Sequence, residues 1–169
     1  DYIRCVSPGV LGTTARTISF WAKVHNLSNG LFQTIVVYGG TPTDDGARFE
    51  VFLMSGQLVC DISSGRLGKK SAAIIDDVWN FYTVVFSGGS SKSLLNDVQY
   101  YVNGVLITEN GIQYNPGQVI NTNNKNPIYF GSFYGSQNWV GGTIDEVRMY
   151  DRALTAAEVK GLYYKDTPF

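Results

Sequence analysis

Residues 142–162 restrict the possible fold more than any other stretch, because their apolar pattern is that of an interrupted strand. Strict alternation along this stretch would place Ile144 and Val147 on opposite faces of a sheet. One extra residue at Asp145–Glu146, a β-bulge, would bring Ile144, Val147 and Met149 to a common inner face. The bulge would also turn the Asp145 carboxylate out of the strand pairing. The stretch therefore predicts a bulged strand packed on an apolar core.

A helix-start signal follows this strand. Thr155 and Glu158 have the spacing of a capping box, in which a hydroxyl and a carboxylate satisfy the free amides of a first turn. Val159 and Leu162 give the turn an apolar face, and Gly161 is a stop signal. The sequence predicts a short helical turn near the C-terminus.

The rest of the chain reads as short strands separated by turns. Its 19 glycines suit turns, and its 11 tyrosines, 9 phenylalanines and 3 tryptophans suit pleated surfaces. Thr17–Val24 alternates cleanly, and Asn103-Gly104 is a strong hairpin signal. About a dozen short strands without crossover helices favour antiparallel pairing, so the fold class is all-β, a two-sheet antiparallel β-sandwich.

A hairpin around Ser55-Gly56 is the clearest example of this pattern. It joins Arg48–Leu53 to Gln57–Ile62. Alternation directs one set of side chains inward and the charged residues outward. The inward set is Phe49, Val51, Leu53, Leu58, Cys60 and Ile62, and the outward set is Arg48, Glu50 and Asp61. Residues 63–71, which follow, are expected to form a basic, glycine-containing loop.

Four segments carry a family resemblance. They are Thr17-Ile-Ser-Phe-Trp-Ala-Lys23, Trp79-Asn-Phe-Tyr-Thr-Val-Val-Phe86, Tyr101-Val-Asn-Gly-Val-Leu106 and the closing stretch from Gly142 to Val159. In this order they resemble the laminin-G-like domains of the concanavalin A-like lectin/glucanase superfamily. The resemblance implies a jelly roll. With no internal repeat or linker, we expect residues 1–169 to form one domain, excised from a larger protein.

Charge and cysteine content narrow the function classes. A net charge of −1 argues against nucleic-acid binding and against a polybasic membrane surface. No apolar run approaches the roughly 20 residues that span a bilayer. Cys5 and Cys60 both lie in apolar alternating contexts, which favours two buried thiols, with a disulfide as the alternative.

Catalytic motifs are missing from the sequence. The single histidine, His25, is flanked by loop residues, and the nucleophile-elbow, phosphate-loop and zinc-cysteine patterns are absent. Glucanases of the resembled superfamily carry a Glu-x-Asp-x-x-Glu motif that this chain lacks. The acidic pairs Asp44-Asp45, Asp76-Asp77 and Asp145-Glu146 are adjacent, and neighbours along a strand point to opposite faces. We therefore expect no enzymatic activity.

Carbohydrate binding is the function that the resemblance favours. Sugars need aromatic rings for their C–H faces and planar polar groups for their hydroxyls. The resemblance assigns Trp21, Trp79 and Trp139 to the core, so other aromatic and polar residues become the candidates. The predicted binding residues are Tyr38, Asp44, Asp45, Arg66, Phe133, Tyr134, Gln137 and Asn138.

One structural calcium ion is a further expectation. Asp145 resembles the position from which relatives donate a carboxylate to such an ion, and calcium takes six to eight oxygen ligands. The alternative is that Asp145 is a solvated bulge residue or a partner of Arg148.

These observations predict a non-catalytic, secreted or surface-displayed module that recognises a glycan or polysaccharide. We expect it to belong to a larger extracellular adhesin, fibre or polysaccharide-degrading enzyme, and to form an oligomer if a fibre displays it. The alternative is a protein–protein interaction or spacer domain without glycan affinity.

Overall fold

Twelve strands and two helices form in the part of the chain that the computed structural model describes, residues 1–27, 30–62, 67–71, 74–90, 94–108, 111–113 and 117–166. The strands are β1 Ile3–Cys5, β2 Arg16–Val24, β3 Gln33–Gly39, β4 Arg48–Met54, β5 Gln57–Asp61, β6 Leu67–Ser71, β7 Asn80–Phe86, β8 Val98–Val102, β9 Val105–Leu106, β10 Ile112–Gln113, β11 Asn126–Phe130 and β12 Gly142–Tyr150. The helices are α1 Leu94–Asp97 and α2 Ala156–Asp166. Within these ranges, neither helix is long and apolar enough to cross a bilayer. Residues 67–71, expected in a loop, form strand β6 instead.

The strands build a sandwich of two sheets, as predicted. One sheet has seven strands in the order β1-β11-β3-β4-β5-β6-β10, and the other has five in the order β12-β2-β7-β8-β9. Every pair of neighbouring strands is antiparallel. The short strand β1 lies at an edge of the larger sheet, and β12 lies at an edge of the smaller one.

The main core fills the space between the sheets. The alternating residues Ile18, Phe20, Ala22 and Val24 of β2 all face it and are fully buried. All six residues predicted to point inward from the β4–β5 hairpin belong to the same core. Strand alternation therefore predicted both inner faces correctly.

The bulge in β12 is confirmed. The register against β2 shifts between Asp145 and Arg148, and Glu146 adopts a left-handed conformation with φ of 50°. Ile144, Val147 and Met149 all pack against the main core. The extra residue thus restores the inward orientation that strict alternation would have lost.

Helix α2 covers the outer face of the five-stranded sheet. The capping box is present, because the Thr155 amide donates to a Glu158 carboxylate oxygen at 2.8 Å and the Glu158 amide donates to the Thr155 hydroxyl at 3.3 Å. The helix has eleven residues and continues through Gly161, so the predicted stop is wrong. It continues because Tyr163 stacks on Trp21, with ring centroids 5.8 Å apart.

Both cysteines are free thiols, but the predicted burial is confirmed only for Cys60, because Cys5 is partly exposed. Cys60 is fully buried in the main core, and Cys5 packs against its edge. Burial raises the pKa of the Cys60 thiol well above its ordinary value.

Candidate functional site

The loop between β11 and β12 holds four of the predicted binding residues, Phe133, Tyr134, Gln137 and Asn138. It folds back over the outer face of the seven-stranded sheet. The loop is closed on itself by the Phe133 amide, which donates to the Gln137 carbonyl at 2.8 Å. These four residues share one loop, but Phe133 and Tyr134 pack over the sheet whereas Asn138 lines a pocket at the rim.

The rings of Phe133 and Tyr134 are largely engaged inside the protein. Phe133 is buried, and its ring centroid lies 5.1 Å from the Cζ atom of Arg48. The Tyr134 hydroxyl donates to the Gly40 carbonyl. The Tyr134 ring packs edge-on against the rings of Phe133 and Tyr129, with centroid distances of 4.7 and 5.7 Å. Burial raises the pKa of this hydroxyl. Both rings therefore pack over the outer face of the sheet, and their role in binding stays a prediction.

Tyr38 was predicted to bind a ligand, but it does not lie at the surface, so this prediction is wrong. Its side chain is fully buried in the main core, where its hydroxyl accepts a hydrogen bond from Arg16 at 3.2 Å. Burial raises the pKa of Tyr38 to about 12, although the Arg16 charge opposes the rise. Strand β3 extends through Gly39, so Tyr38 lies within the strand and points into the core.

Asp44 and Asp45 lie in the turn between β3 and β4. Asp44 accepts from the Thr41 amide at 2.7 Å and from the Lys125 ammonium at 2.7 Å. These hydrogen bonds lower the pKa of Asp44 to about 2, with Lys125 making the larger contribution and the Thr41 amide the next. Asp44 therefore stabilises the turn, whereas Asp45 is exposed. Arg66 lies outside the described residues.

Three charged residues form a buried cluster on the outer face of the seven-stranded sheet, beneath Phe133. Arg48, Glu50 and Asp61 do point away from the main core, as predicted, yet all three are almost inaccessible to solvent. Arg48 reaches Asp61 at 2.9 Å and Glu50 at 3.4 Å. Glu50 and Asp61 are direct partners across β4 and β5. This cross-strand carboxylate pair could not be found by comparing adjacent residues.

The environment of Glu50 favours the protonated form of its carboxyl group. Burial raises the pKa of Glu50 to about 7, against the opposing effects of the Arg48 charge and a hydrogen bond from Thr34. A catalytic carboxylate pair needs room for a sugar and a water molecule between its members. Here Arg48 occupies the position beside both carboxylates, and Phe133 covers the arginine.

A pocket of about 380 Å³ opens at the rim of the sandwich, between the β2–β3 loop and the β11–β12 loop. We call it the rim pocket. Its described lining is His25, Asn26, Leu31, Phe32, Gln33, Asn138, Trp139 and Gly141. Of these residues, the sequence had assigned only Asn138 to a binding site.

Gln33 holds the two walls of the rim pocket together. Its side-chain amide donates to the His25 carbonyl at 2.7 Å, and its side-chain oxygen accepts from the Gly141 amide at 2.9 Å. The His25 amide also donates to the Gly141 carbonyl at 2.7 Å, and the Thr34 amide to the Asn138 carbonyl at 2.9 Å. These four hydrogen bonds join the two walls of the rim pocket.

Two exposed aromatic residues and two asparagines line this pocket. Trp139 and Phe32 are 45% and 43% exposed. Asn26 and Asn138 both adopt left-handed conformations, with φ of 60° and 53°. Within the described residues, neither asparagine side chain has a hydrogen-bond partner. Exposed rings beside unpaired planar amides are the groups that sugar recognition needs.

Exposure of the tryptophans corrects the assignment of all three to the core. Trp21 is buried beneath α2, but Trp79 is 40% exposed and Trp139 lines the rim pocket. Trp79 lies at the same end of the sandwich, where Asp77 pairs with Nδ1 of His25. His25 thus lines the rim pocket while its Nδ1 atom is engaged by Asp77.

Asp145, the predicted calcium ligand, is exposed at the bulge. Its carboxylate accepts a hydrogen bond from the Glu146 amide at 2.7 Å, while the Glu146 carboxylate pairs with Arg148 at 2.5 Å. In the part of the chain that the structure describes, no three or more His, Cys, Asp or Glu residues are grouped to hold a metal ion. An ion here would need carbonyl oxygens for most of its ligands, and calcium binding stays a prediction.

Solved structures share the fold over almost the whole chain. The CBM40 domain of the Ruminococcus gnavus IT-sialidase, bound to α2,3-sialyllactose, has a TM-score of 0.65 at 15% identity, covering 96% of each chain. Domain 4 of AbnA, a GH43 extracellular arabinanase from Geobacillus stearothermophilus in complex with arabinotriose, has a TM-score of 0.66 at 20% identity, covering 96% of this chain and 72% of that one.

A toxin domain has the same architecture. The binding domain of Paraclostridial Mosquitocidal Protein 1 has a TM-score of 0.60 at 21% identity, and the match covers 90% of this chain but only 37% of that one. No curated protein sequence matches the chain. A laminin G family model, described as concanavalin A-like lectin/glucanases superfamily, matches residues 1–160. The chain therefore belongs to the concanavalin A-like lectin/glucanase superfamily, through its laminin G family.

Proposed function

We propose that this domain is a non-catalytic carbohydrate-binding module and that the glycan binds in the rim pocket. The observation that carries the proposal is the pairing of Trp139 and Phe32, both exposed, with the unpaired amides of Asn26 and Asn138 in one pocket. Each ring offers a flat apolar face to sugar C–H groups, and each amide offers a donor and an acceptor to hydroxyls.

The size of the rim pocket fits a short glycan. Its volume of about 380 Å³ lies near the lower end of the range of about 300–1,000 Å³ for small-molecule sites. A mono- or disaccharide unit suits this volume, and the rest of a longer glycan would extend into solvent.

The lining of the pocket supports binding without hydrolysis. None of the described residues that line it is an aspartate or a glutamate. Glycoside hydrolysis ordinarily uses two carboxylates on either side of the scissile bond. The cross-strand pair Glu50 and Asp61 lies elsewhere, buried beneath Phe133.

The comparisons support the same class of ligand. The sialidase domain is bound to sialyllactose, and the arabinanase domain is in complex with arabinotriose. Both come from carbohydrate-active proteins. We propose by extension that this domain is secreted or surface-displayed, as part of an extracellular adhesin, fibre or polysaccharide-degrading enzyme.

A glycan array with the purified domain tests this function, with Trp139→Ala and Phe32→Ala as the diagnostic variants. We expect each variant to lose at least about two- to tenfold in affinity for the glycan that the array identifies, since a stacked ring contributes about 0.5–1.5 kcal/mol beyond its buried area. Tyr164→Ala, which removes an exposed ring on α2, is the matched control and should bind normally.

The outcome also separates the two function classes. Unchanged binding by both diagnostic variants would move the glycan site away from the rim pocket. Absence of binding to any glycan would instead favour the alternative, a protein–protein interaction or spacer domain.

A further inference from the structure

A second opening lies at the open edge of the sandwich, where β1 and β11 of the larger sheet face β12 of the smaller one. We call it the edge cleft, and it has a volume of about 440 Å³. Its apolar lining comes from Ile3, Phe130, Val140, Ile144 and Val147. Four of these side chains continue into the main core, whereas Ile3 is 65% exposed at the mouth. The cleft is therefore an accessible extension of the core surface.

The edge cleft and the rim pocket share a wall. Trp139 and Gly141 line the rim pocket, while Val140 between them lines the edge cleft. The two openings also meet at the surface, because Tyr2 lines the cleft and its ring lies 5.8 Å from the ring of Trp139. A ligand that crosses this ring pair would reach from one opening into the other.

The strands beside the edge cleft oppose pairing with another strand. β1 has only three residues. β12 is interrupted by its bulge and carries Asp145, Glu146 and Arg148 along its edge. Short edges, bulges and charged edge residues are the devices by which proteins prevent edge-to-edge association. The edges thus favour a small apolar group over a peptide strand as the occupant.

We propose that the edge cleft binds the apolar aglycone, an alkyl or aryl group, of a glycoside whose sugar lies in the rim pocket. This inference rests on the proposed glycan-binding function. The sugar stacks on Trp139, the glycosidic oxygen passes the Tyr2–Trp139 ring pair, and the aglycone enters between Ile3 and Val147. The ligand class is accordingly an amphiphilic glycoside, such as the headgroup end of a glycolipid or an aryl glycoside.

Calorimetry with paired glycosides tests the proposal. The methyl and octyl glycosides of the sugar that the array identifies are titrated below the micelle concentration of the octyl compound. We expect the octyl glycoside to bind at least about tenfold more tightly, the gain that two buried methylene groups provide. In parallel, 1-octanol alone is titrated and followed by amide NMR shifts, which should concentrate at Ile144 and Val147.

Two matched variants assign the gain to the cleft. Ile3→Asp places a charge at the mouth of the cleft, on a side chain exposed enough for the fold to tolerate the change. Val6→Asp makes the same change at a side chain that is exposed and does not line the cleft. We expect Ile3→Asp to reduce the octyl affinity to that of the methyl glycoside, and Val6→Asp to leave the gain intact.

The possible failures are distinct. Equal affinity for the two glycosides would overturn the aglycone site while leaving the proposed function standing. Absence of binding to any glycoside would overturn both. Self-association that protects Ile144 and Val147 from 1-octanol would assign the cleft to a second copy of the chain and would also overturn the proposal.

Discussion

The Nη1 atom of Arg16 lies 2.8 Å from the hydroxyl oxygen of Thr122, so a hydrogen bond links β2 to the segment before β11. The guanidinium is fully buried and also donates to the carbonyls of Val10, Gly12 and Thr14. It lies over the rings of Phe49 and Phe86 at 5.1 and 5.5 Å. Arg16 thus fastens the 10–14 loop to both sheets, using carbonyl oxygens to hold a buried charge.

Replacement of Arg16 should therefore destabilise the domain strongly. We expect Arg16→Met to lower the free energy of unfolding by at least about 3 kcal/mol, because two buried hydroxyls and several partly buried carbonyls lose a charged donor at once. Arg16→Lys should also be destabilising, since a single ammonium group cannot donate to all the acceptors that the guanidinium reaches. Urea unfolding measures both. Arg4→Met, at an exposed position, should remain within about 0.5 kcal/mol of the wild type; a similar loss there, or none at Arg16, contradicts the assignment.

Stability should depend on pH through Glu50. Its pKa is about 7 in the folded protein and about 4.5 when exposed, so between these values the folded state holds a proton that the unfolded state has released. The free energy of unfolding therefore falls as pH rises from about 4.5 to about 7, with a total contribution of about 3 kcal/mol. Glu50→Gln cannot ionise, so its stability relative to the wild type should rise by about that amount over the window.

Denaturant unfolding of the two proteins at several pH values between 4.5 and 8 measures this difference. Asp151→Asn, which removes an exposed carboxylate, serves as the control and should follow the wild type. A constant difference between Glu50→Gln and the wild type across the window would show that Glu50 is ionised throughout.

The capping box should contribute measurably to α2. Thr155→Ala removes the hydroxyl that accepts from the Glu158 amide, and loss of such a cap costs about 1 kcal/mol. For a domain of this size the expected fall in Tm is about 2–4 °C. Thr13→Ala, the control, alters an exposed threonine whose hydroxyl caps no helix, and it should leave Tm unchanged. Equal changes in Tm for the two variants would show that the Thr155 hydroxyl does not stabilise α2.

Calcium binding through Asp145 makes a prediction about chelation. Removal of a bound ion by EDTA should lower Tm, since a ligand that binds only the folded state stabilises it. Asp145→Asn should abolish the difference between samples with calcium and with EDTA. An unchanged midpoint in wild-type protein rejects a tightly bound structural ion.

Features of the fold that depend on local pattern were predictable from the sequence. The bulge at Asp145, the inward face of β2 and the Thr155–Glu158 box each follow from residues a few positions apart. The stop at Gly161 was wrong because a tertiary contact, Tyr163 on Trp21, outweighs a cost of about 1 kcal/mol for glycine inside a helix. Pattern reasoning had no access to that contact.

The candidate site was less predictable, since it depends on how separate loops close at one end of the sandwich. Phe32 and Trp139 lie 107 positions apart and share the rim pocket because Gln33 and two main-chain hydrogen bonds join their loops. Similarly, Glu50 and Asp61 meet through strand register, which composition does not show. The sequence did indicate the β11–β12 loop, of which Asn138 reaches the rim pocket.

The central claim is that a glycan occupies the rim pocket, and NMR titration with the sugar that the array identifies tests it most directly. If the glycan binds there, saturable shifts should concentrate at the side-chain amides of Asn26 and Asn138, the indole of Trp139 and the backbone around Phe32. Shifts confined to the turn at Asp44 and to Tyr134, with the Trp139 indole unmoved, would contradict it.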